Sequence, residues 1–239
     1  MKYLLANWKM YLSVEESVKL AKAATGFEVS EDKKIVLFPS ALAFTDVVQT
    51  VSGKVDIGAQ DAHWDLAGAE TGEVSMKDVK DAGATYVLVG HSERREDCDT
   101  DEIVAKKLKA AIEVGLTPVL CIGESKEECE GLGRDSKLEA QLTSALKDVE
   151  VKQLFVAYEP IWAIGTGEND PPEDVSKAAK TITKFVESLV PGAALTILYG
   201  GSVDPQNVAQ YTGLPGVEGV LVGSASTKSN TLKGIWEAL

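Results

Sequence analysis

The sequence predicts a closed (β/α)8 barrel of eight parallel strands inside a ring of outer helices. Three observations lead there. Short β-branched apolar runs alternate with longer stretches of helical periodicity along the whole chain. Strict alternation of this kind implies a parallel sheet joined by right-handed crossovers. Eight such units fit within 239 residues, close to the about 250 typical of the closed form. An open, doubly wound sheet is the alternative. Against it, the first apolar run leads into ANWKM and not into a Gly-x-Gly-x-x-Gly turn. With no linker, low-complexity segment or break in composition, residues 1–239 are expected to form one domain.

The expected strands are Tyr3–Trp8, Lys34–Phe38, Val55–Gln60, Tyr86–His91, Thr117–Ile122, Leu154–Glu159, Leu195–Tyr199 and Gly219–Val222. The clearest helices are Val14–Ala24, Thr100–Val114, Lys137–Leu146 and Glu173–Leu189. In the second of these, DEIVAKKLKAAIEVG places apolar residues three and four apart and stops at Gly115.

Composition narrows the function. Apolar content of 44% argues against disorder. No apolar run approaches the roughly 18 residues that span a bilayer, and MKYLLANWKM is too short and too quickly polar for a signal peptide. Three cysteines (Cys98, Cys121, Cys129) without zinc-like pairing fit a reducing, cytoplasmic setting. A net charge of −13 argues against nucleic acid or an anionic membrane as partner. It also means that an anionic small substrate needs a local positive site.

In such a barrel the active site lies at the C-terminal strand ends. The first run ends in Asn7 and Lys9, the fourth in His91 and Glu93, and the sixth in Glu159. Runs seven and eight lead into Gly200-Gly201-Ser202 and Gly223-Ser224-Ala225-Ser226. The first set brings an amide, an amine, an imidazole and carboxylates to one rim. The glycine turns offer backbone N–H groups beside helix starts, a ready anion site. Each feature has an ordinary use by itself: a solvated loop lysine, a structural histidine, a helix-start acid, a plain turn. What separates them from those uses is that all fall at the same end of the barrel and complement one another chemically.

The segments ANWKM (6–10), GATYVLVGHSERR (83–95), VLCIGE (119–124), AYEPIWAIGTG (157–167), LYGGSV (198–203) and GVLVGSAS (219–226) resemble the signature segments of the triosephosphate isomerase family, in that family's order. The resemblance covers the whole chain and implies a TIM barrel that interconverts dihydroxyacetone phosphate and D-glyceraldehyde 3-phosphate with no metal or organic cofactor. This family is a standard illustration of pKa tuning, so the following roles are inherited from it. Glu159 is the base that moves a proton between neighbouring carbons. Neutral His91, at a helix start near Ser92–Arg95, stabilises the enediolate oxygen, with Lys9 and Asn7 beside it. Glu93 orients Lys9. The phosphate lies against N–H groups of Gly165, Ser202, Gly223 and Ser224. Pro160, Ile161 and Trp162 form the first hinge of a lid whose tip is Ala163, Ile164, Gly165, Thr166 and Gly167, latched by Tyr199 and Ser202.

Three segments depart from the family pattern. Glu168-Asn169-Asp170-Pro171-Pro172 places two acids and two prolines at the second hinge, where the tyrosine latch should form. Ser224 replaces a glycine in the phosphate loop, a strain of about 1 kcal/mol if the position needs positive φ. Glu96–Asp99 replaces an aromatic-glycine stretch and bears on helix packing or an interface. The long segment Asp61–Glu73 resembles the family's interdigitating loop, whose tip, with Thr71, inserts beside the partner's Asn7 and Lys9. A symmetric homodimer is therefore expected. Asp61, His63 and Asp65 lack a fourth metal ligand at recognisable spacing, and Cys121 is expected to pack in or just behind the barrel core. Two other readings stay open. One is different phosphate-barrel chemistry, although LFVAYE offers no Schiff-base lysine and only two histidines are present. The other is a non-catalytic sugar-phosphate-binding barrel.

Overall fold

The computed structural model describes residues 1–28, 31–131, 133–165 and 167–239. Its strands are β1 (Lys2–Asn7), β2 (Lys33–Phe38), β3 (Asp56–Ala59), β4 (Tyr86–Val89), β5 (Thr117–Ile122), β6 (Gln153–Tyr158), β7 (Ala194–Tyr199) and β8 (Gly219–Val222). They pair in sequence order, all parallel, and β8 closes onto β1 through Tyr3 beside Gly219. The fold class expected from the alternation is therefore the one formed.

The runs looked continuously apolar because a parallel barrel strand is covered on both faces. Within β1, Leu4 and Ala6 face the helical layer. Tyr3 and Leu5 join a second cluster made only of strand residues, including Phe38, Leu88, Cys121, Phe155 and Leu221. That cluster fills the barrel. Phe155 meets Tyr3 and Tyr86 edge-on, with ring centroids 4.9 and 5.5 Å apart. Cys121 is fully buried there, where burial pushes its thiol well above the usual range, so it packs as expected and is not poised to react.

Ten helices surround the strands among the described residues. Four matched the periodicity. α1 (Val14–Ala24) starts at a capping box in which Ser13 and Glu16 satisfy one another's backbone. α5 (Asp101–Glu113) is capped by Thr100, and α8 (Pro172–Leu189) begins on a proline whose missing N–H costs nothing there. α7 (Arg134–Leu146) starts three residues before the expected Lys137. The others are α2 (Phe44–Val51), α3 (Met76–Asp81), α4 (Ser92–Asp97), α6 (Lys126–Glu130), α9 (Val208–Thr212) and α10 (Ser229–Ala238). Most are one or two turns long, too short for an apolar stripe to repeat.

The predicted ends Trp8, Gln60, His91 and Glu159 all lie one or two residues beyond the last paired residue. The rim residues thus sit where the chain leaves the ladder, free to turn toward the axis. The Glu96–Asp99 departure bears on helix packing. Lys107 of α5 is buried and held by both oxygens of Asp99 (2.8 and 2.9 Å) and both of Asp61 (2.7 and 2.8 Å). This ties the loop after β3 to α5.

Candidate active site

The backbone of Lys9 is strained. Its φ is +48°, a left-handed conformation that costs a non-glycine residue about 1–2 kcal/mol. Local hydrogen bonds hold it. Its N–H donates to Asn7 Oδ1 (3.1 Å), and Gln60 Nε2 donates to the carbonyls of Lys9 and Phe38, both at 2.9 Å. The result aims Nζ at Glu93 Oε1, 2.6 Å away.

His91 sits at the N-cap of α4, after a turn in which Gly90 has φ +70°. Its Nδ1 accepts the Glu93 N–H at 3.3 Å, so in this arrangement the ring hydrogen is carried on Nε2. Nε2 lies 3.2 Å from Glu159 Oε1. Glu159 Oε2 accepts the Ser92 N–H at 3.1 Å. Imidazole and carboxylate are both buried.

Two glycines make room for Glu159. A Cβ on Gly123 would lie 1.7 Å from the Glu159 carbonyl oxygen, and one on Gly200 would lie 2.8 Å from Glu159 Cγ. Gly123→Ala therefore has to push the strand end carrying Glu159. An overpacking cost of roughly 3 kcal/mol is expected to lower the melting temperature by about 6–12 °C. The loss of kcat should exceed what that instability explains, which calorimetry and kinetics on the folded fraction will check.

Asn7, Lys9, His91, Glu159, Gly165, Ser202, Gly223 and Ser224 line one cavity of about 290 Å³. Lys9 is the one cation among its described lining residues, which answers how an acidic chain makes a local positive site. Glu93 does not line this cavity; it holds Lys9 from beside it. Ser224 opens a 3-10 turn and is not among the positive-φ residues, so the strain considered for it does not arise.

In the expected lid, Ile161–Ala163 form a 3-10 turn after Pro160, with Ile164 following and Trp162 partly buried. Gly165 and Gly167 have φ of +68° and +78°. Thr166 lies outside the described residues. Ser202 donates both its N–H (3.1 Å) and its hydroxyl (2.8 Å) to Ala163 O. The Ser202 N–H therefore reaches a phosphate only when Ala163 moves away. The Tyr199 hydroxyl accepts the Asp170 N–H at 3.2 Å, so the altered hinge keeps a contact to the tyrosine expected to latch the lid.

Gln60 and Glu124 were not foreseen, although each is the first strongly polar residue beyond its apolar run. The strand-end rule that selected His91 also points to them. Asp170, Tyr158 and Tyr211 gave no such signal. Asp61 is occupied by Lys107 and by Arg94 Nε at 3.0 Å. His63, Asp65 and Glu70 place ligand atoms within 4.8 Å of one another, with only His63 buried.

A carboxylate and an imidazole over a lysine-bearing, glycine-lined cavity, at the C-terminal rim of a (β/α)8 barrel, define an acid–base barrel enzyme of the phosphate-binding type. Comparison with known proteins agrees. Residues 2–239 match the family described as Triosephosphate isomerase. Similar proteins named Triosephosphate isomerase include one from Picosynechococcus sp., 41% identical over 95% of each chain. Others come from Clostridium botulinum (strain Loch Maree / Type A3), 37% over 97% of each, and Aquifex aeolicus, 38% over 93% of each. The chain belongs to the triosephosphate isomerase family.

Proposed function

We propose that this barrel interconverts dihydroxyacetone phosphate and D-glyceraldehyde 3-phosphate through an enediolate, as an enzyme of glycolysis and gluconeogenesis. The observation that carries this is the 3.2 Å contact between His91 Nε2 and Glu159 Oε1 on the wall of the Lys9 cavity. Substrate entering between them takes over both groups. Glu159 gives up its Ser92 hydrogen bond and its His91 contact and removes a proton from the carbon beside the carbonyl. The His91 Nε2–H, with Asn7 and Lys9, stabilises the oxygen on which charge accumulates. Glu159 then returns the proton to the neighbouring carbon, while the proton of the adjacent hydroxyl passes to the former carbonyl oxygen beside His91 Nε2, so the carbonyl moves by one carbon. No metal or organic cofactor is called on. Glu93 is a positioning residue for Lys9.

The phosphate binds at Gly165, Ser202, Gly223 and Ser224, with the end of the Lys9 side chain beside Gly223. Pro160–Gly167 close over it, because an enediolate phosphate left in water loses its phosphate. A coupled assay with purified protein tests the activity. Turnover of glyceraldehyde 3-phosphate is expected, and its absence would restore the non-catalytic sugar-phosphate-binding reading.

The working form is a homodimer in the cytoplasm, with neither nucleic acid nor membrane as partner. No helix among the described residues is long and apolar enough to cross a membrane. Two features support the dimer. The loop 61–73 is pinched at its base by the His63–Ser75 bridge and presents an exposed tip around Thr71. A cavity of about 600 Å³ lies beside Asn7 and Lys9, lined by Met10, Phe44, Thr45 and Glu73. Met10 is 95% exposed and Leu42 86%, the kind of apolar surface that a partner covers. Thr71 of a second copy would enter that cavity and brace Lys9. Light scattering is expected to give twice the 25.5 kDa chain mass. Thr71→Arg is expected to shift the protein toward monomer and lower activity together.

A further inference from the structure

The second hinge carries a buried carboxylate. Asp170 is 1% exposed, and its backbone is held from two sides. Its N–H goes to Tyr199, and its carbonyl accepts the Tyr211 hydroxyl at 3.1 Å. Its Oδ2 lies 3.1 Å from the Tyr158 hydroxyl, and that same hydroxyl lies 2.8 Å from Oε1 of the wholly buried Glu124.

A phenol has one hydrogen to donate. It satisfies one carboxylate, and the other contact sets lone pairs against lone pairs unless the second carboxyl is protonated and donates to the phenolic oxygen. The phenol keeps its own hydrogen, since burial drives its ionisation far above the usual range. Neither Asp170 Oδ1 nor Glu124 Oε2 has a hydrogen-bond partner among the described residues, so no further donor favours ionising both carboxyls.

The charged and titratable surroundings agree. Among the described residues Arg134 of α7 is the facing cation and also reaches the Tyr158 hydroxyl; Asp174 of α8, Glu128 and Cys129 of α6, Asp204, Tyr199 and Tyr211 lie around it. Burial raises the Asp170 carboxyl from 3.8 to about 6; the Tyr158 hydrogen bond and Arg134 oppose this, while Glu124 and Asp174 add to it. Burial also lifts Glu124 above its ordinary value.

We propose that Asp170 is a positioning residue for the lid: the second hinge docks with one extra proton shared among Asp170, Tyr158 and Glu124, so closing takes up a proton and opening releases it. This rests on reading 160–172 as the lid. The sign follows from the raised carboxyl. Docking is most favoured below pH 3.8, the ordinary value that exposed Asp170 regains, and weakens as pH rises toward about 6. Above that it stays weaker by roughly 100-fold, the ratio that the interval represents. At neutral and alkaline pH the lid therefore opens and releases product more readily than in acid.

Asp170→Asn separates the proton from the contact, because an amide N–H donates to the phenolic oxygen at every pH. The probe is 2-phosphoglycolate, whose carboxylate imitates the enediolate, with its dissociation constant measured from pH 5 to 8.5 on wild type and variant. The ratio of the two constants cancels ionisation of the probe and of Glu159. Affinity of the variant is expected to exceed that of wild type by roughly 10- to 100-fold at pH 8 and to converge toward it near pH 5. A ratio that does not change with pH overturns the proposal. So does a pH-dependent difference confined to melting temperature, which would make Asp170 a stabilising residue only. If the asparagine variant does not fold, Asp170→Ala keeps the backbone latches to Tyr199 and Tyr211, and its ratio to wild type is expected to vary with pH in the same way. Failure of wild type to turn over the triose phosphate would instead sink the isomerase reading, a result distinct from a flat ratio.

Discussion

Glu159→Gln is expected to lower kcat by about 10³-fold, within the 10²–10⁴ that a positioned base supplies, with KM changed only a few-fold. The amide is isosteric and uncharged, so it fills the same space and cannot take a proton from carbon. The fold should survive with a measurable cost. Glu159 faces two donors: it accepts the Ser92 N–H and lies 3.2 Å from the His91 ring Nε2. Glutamine has one oxygen for these two donors, so one contact sets donor against donor, at a cost of about 1–2 kcal/mol. A coupled assay together with thermal melting separates the two effects. Equal activity in wild type and variant would sink the base assignment.

Lys9→Met is expected to fail differently. It removes the one cation on the described wall of the cavity and keeps the length of the stem. Against a phosphate dianion, loss of a charge-assisted partner at 2–5 kcal/mol corresponds to roughly 30- to 5,000-fold in kcat/KM. Much of that should appear as raised KM. Stability should change little, since Glu93, the partner left behind, is 55% exposed and can be solvated. The φ of +48° at this position is carried by the backbone and its Asn7 and Gln60 hydrogen bonds, which methionine retains. Affinity for inorganic phosphate provides the direct check. If phosphate binds both proteins alike, Lys9 is not the anion site.

The strand-end rule found Asn7, Lys9, His91, Glu93 and Glu159 because β-branched runs are easy to see and the polar residue ending each run stands out. It stopped short at Gln60 and Glu124. These carry support and not chemistry, and a supporting role shows only when its partner is known. Ser92 was invisible for another reason: its contribution to Glu159 is a backbone N–H, and every residue has one. The short helices were missed because one or two turns carry no repeating stripe.

The hinge shows the same division. Asp170 stood out in the sequence as a departure between an asparagine and two prolines, a composition that suggests a solvated loop. In the fold it is buried, because β6, β7 and α9 direct Tyr158, Tyr199 and Tyr211 at one point, and α8 starts immediately after it. The three tyrosines lie 12, 29 and 41 residues further along or back in the chain. No local pattern couples positions so far apart.

By itself, the sequence determined the alternation of strands and helices, the closure into eight units, and the residue types delivered to one rim, because periodicity and strand ends are local properties of a chain. Only the tertiary structure decided which of those groups touch. The 3.2 Å meeting of His91 with Glu159, the glycine clearances behind Glu159 and the burial of Asp170 depend on how neighbouring strands are staggered around the barrel. That stagger is set by packing between segments distant in sequence, where a few ångströms decide whether a carboxylate is a base, an ion-pair partner or the holder of a proton.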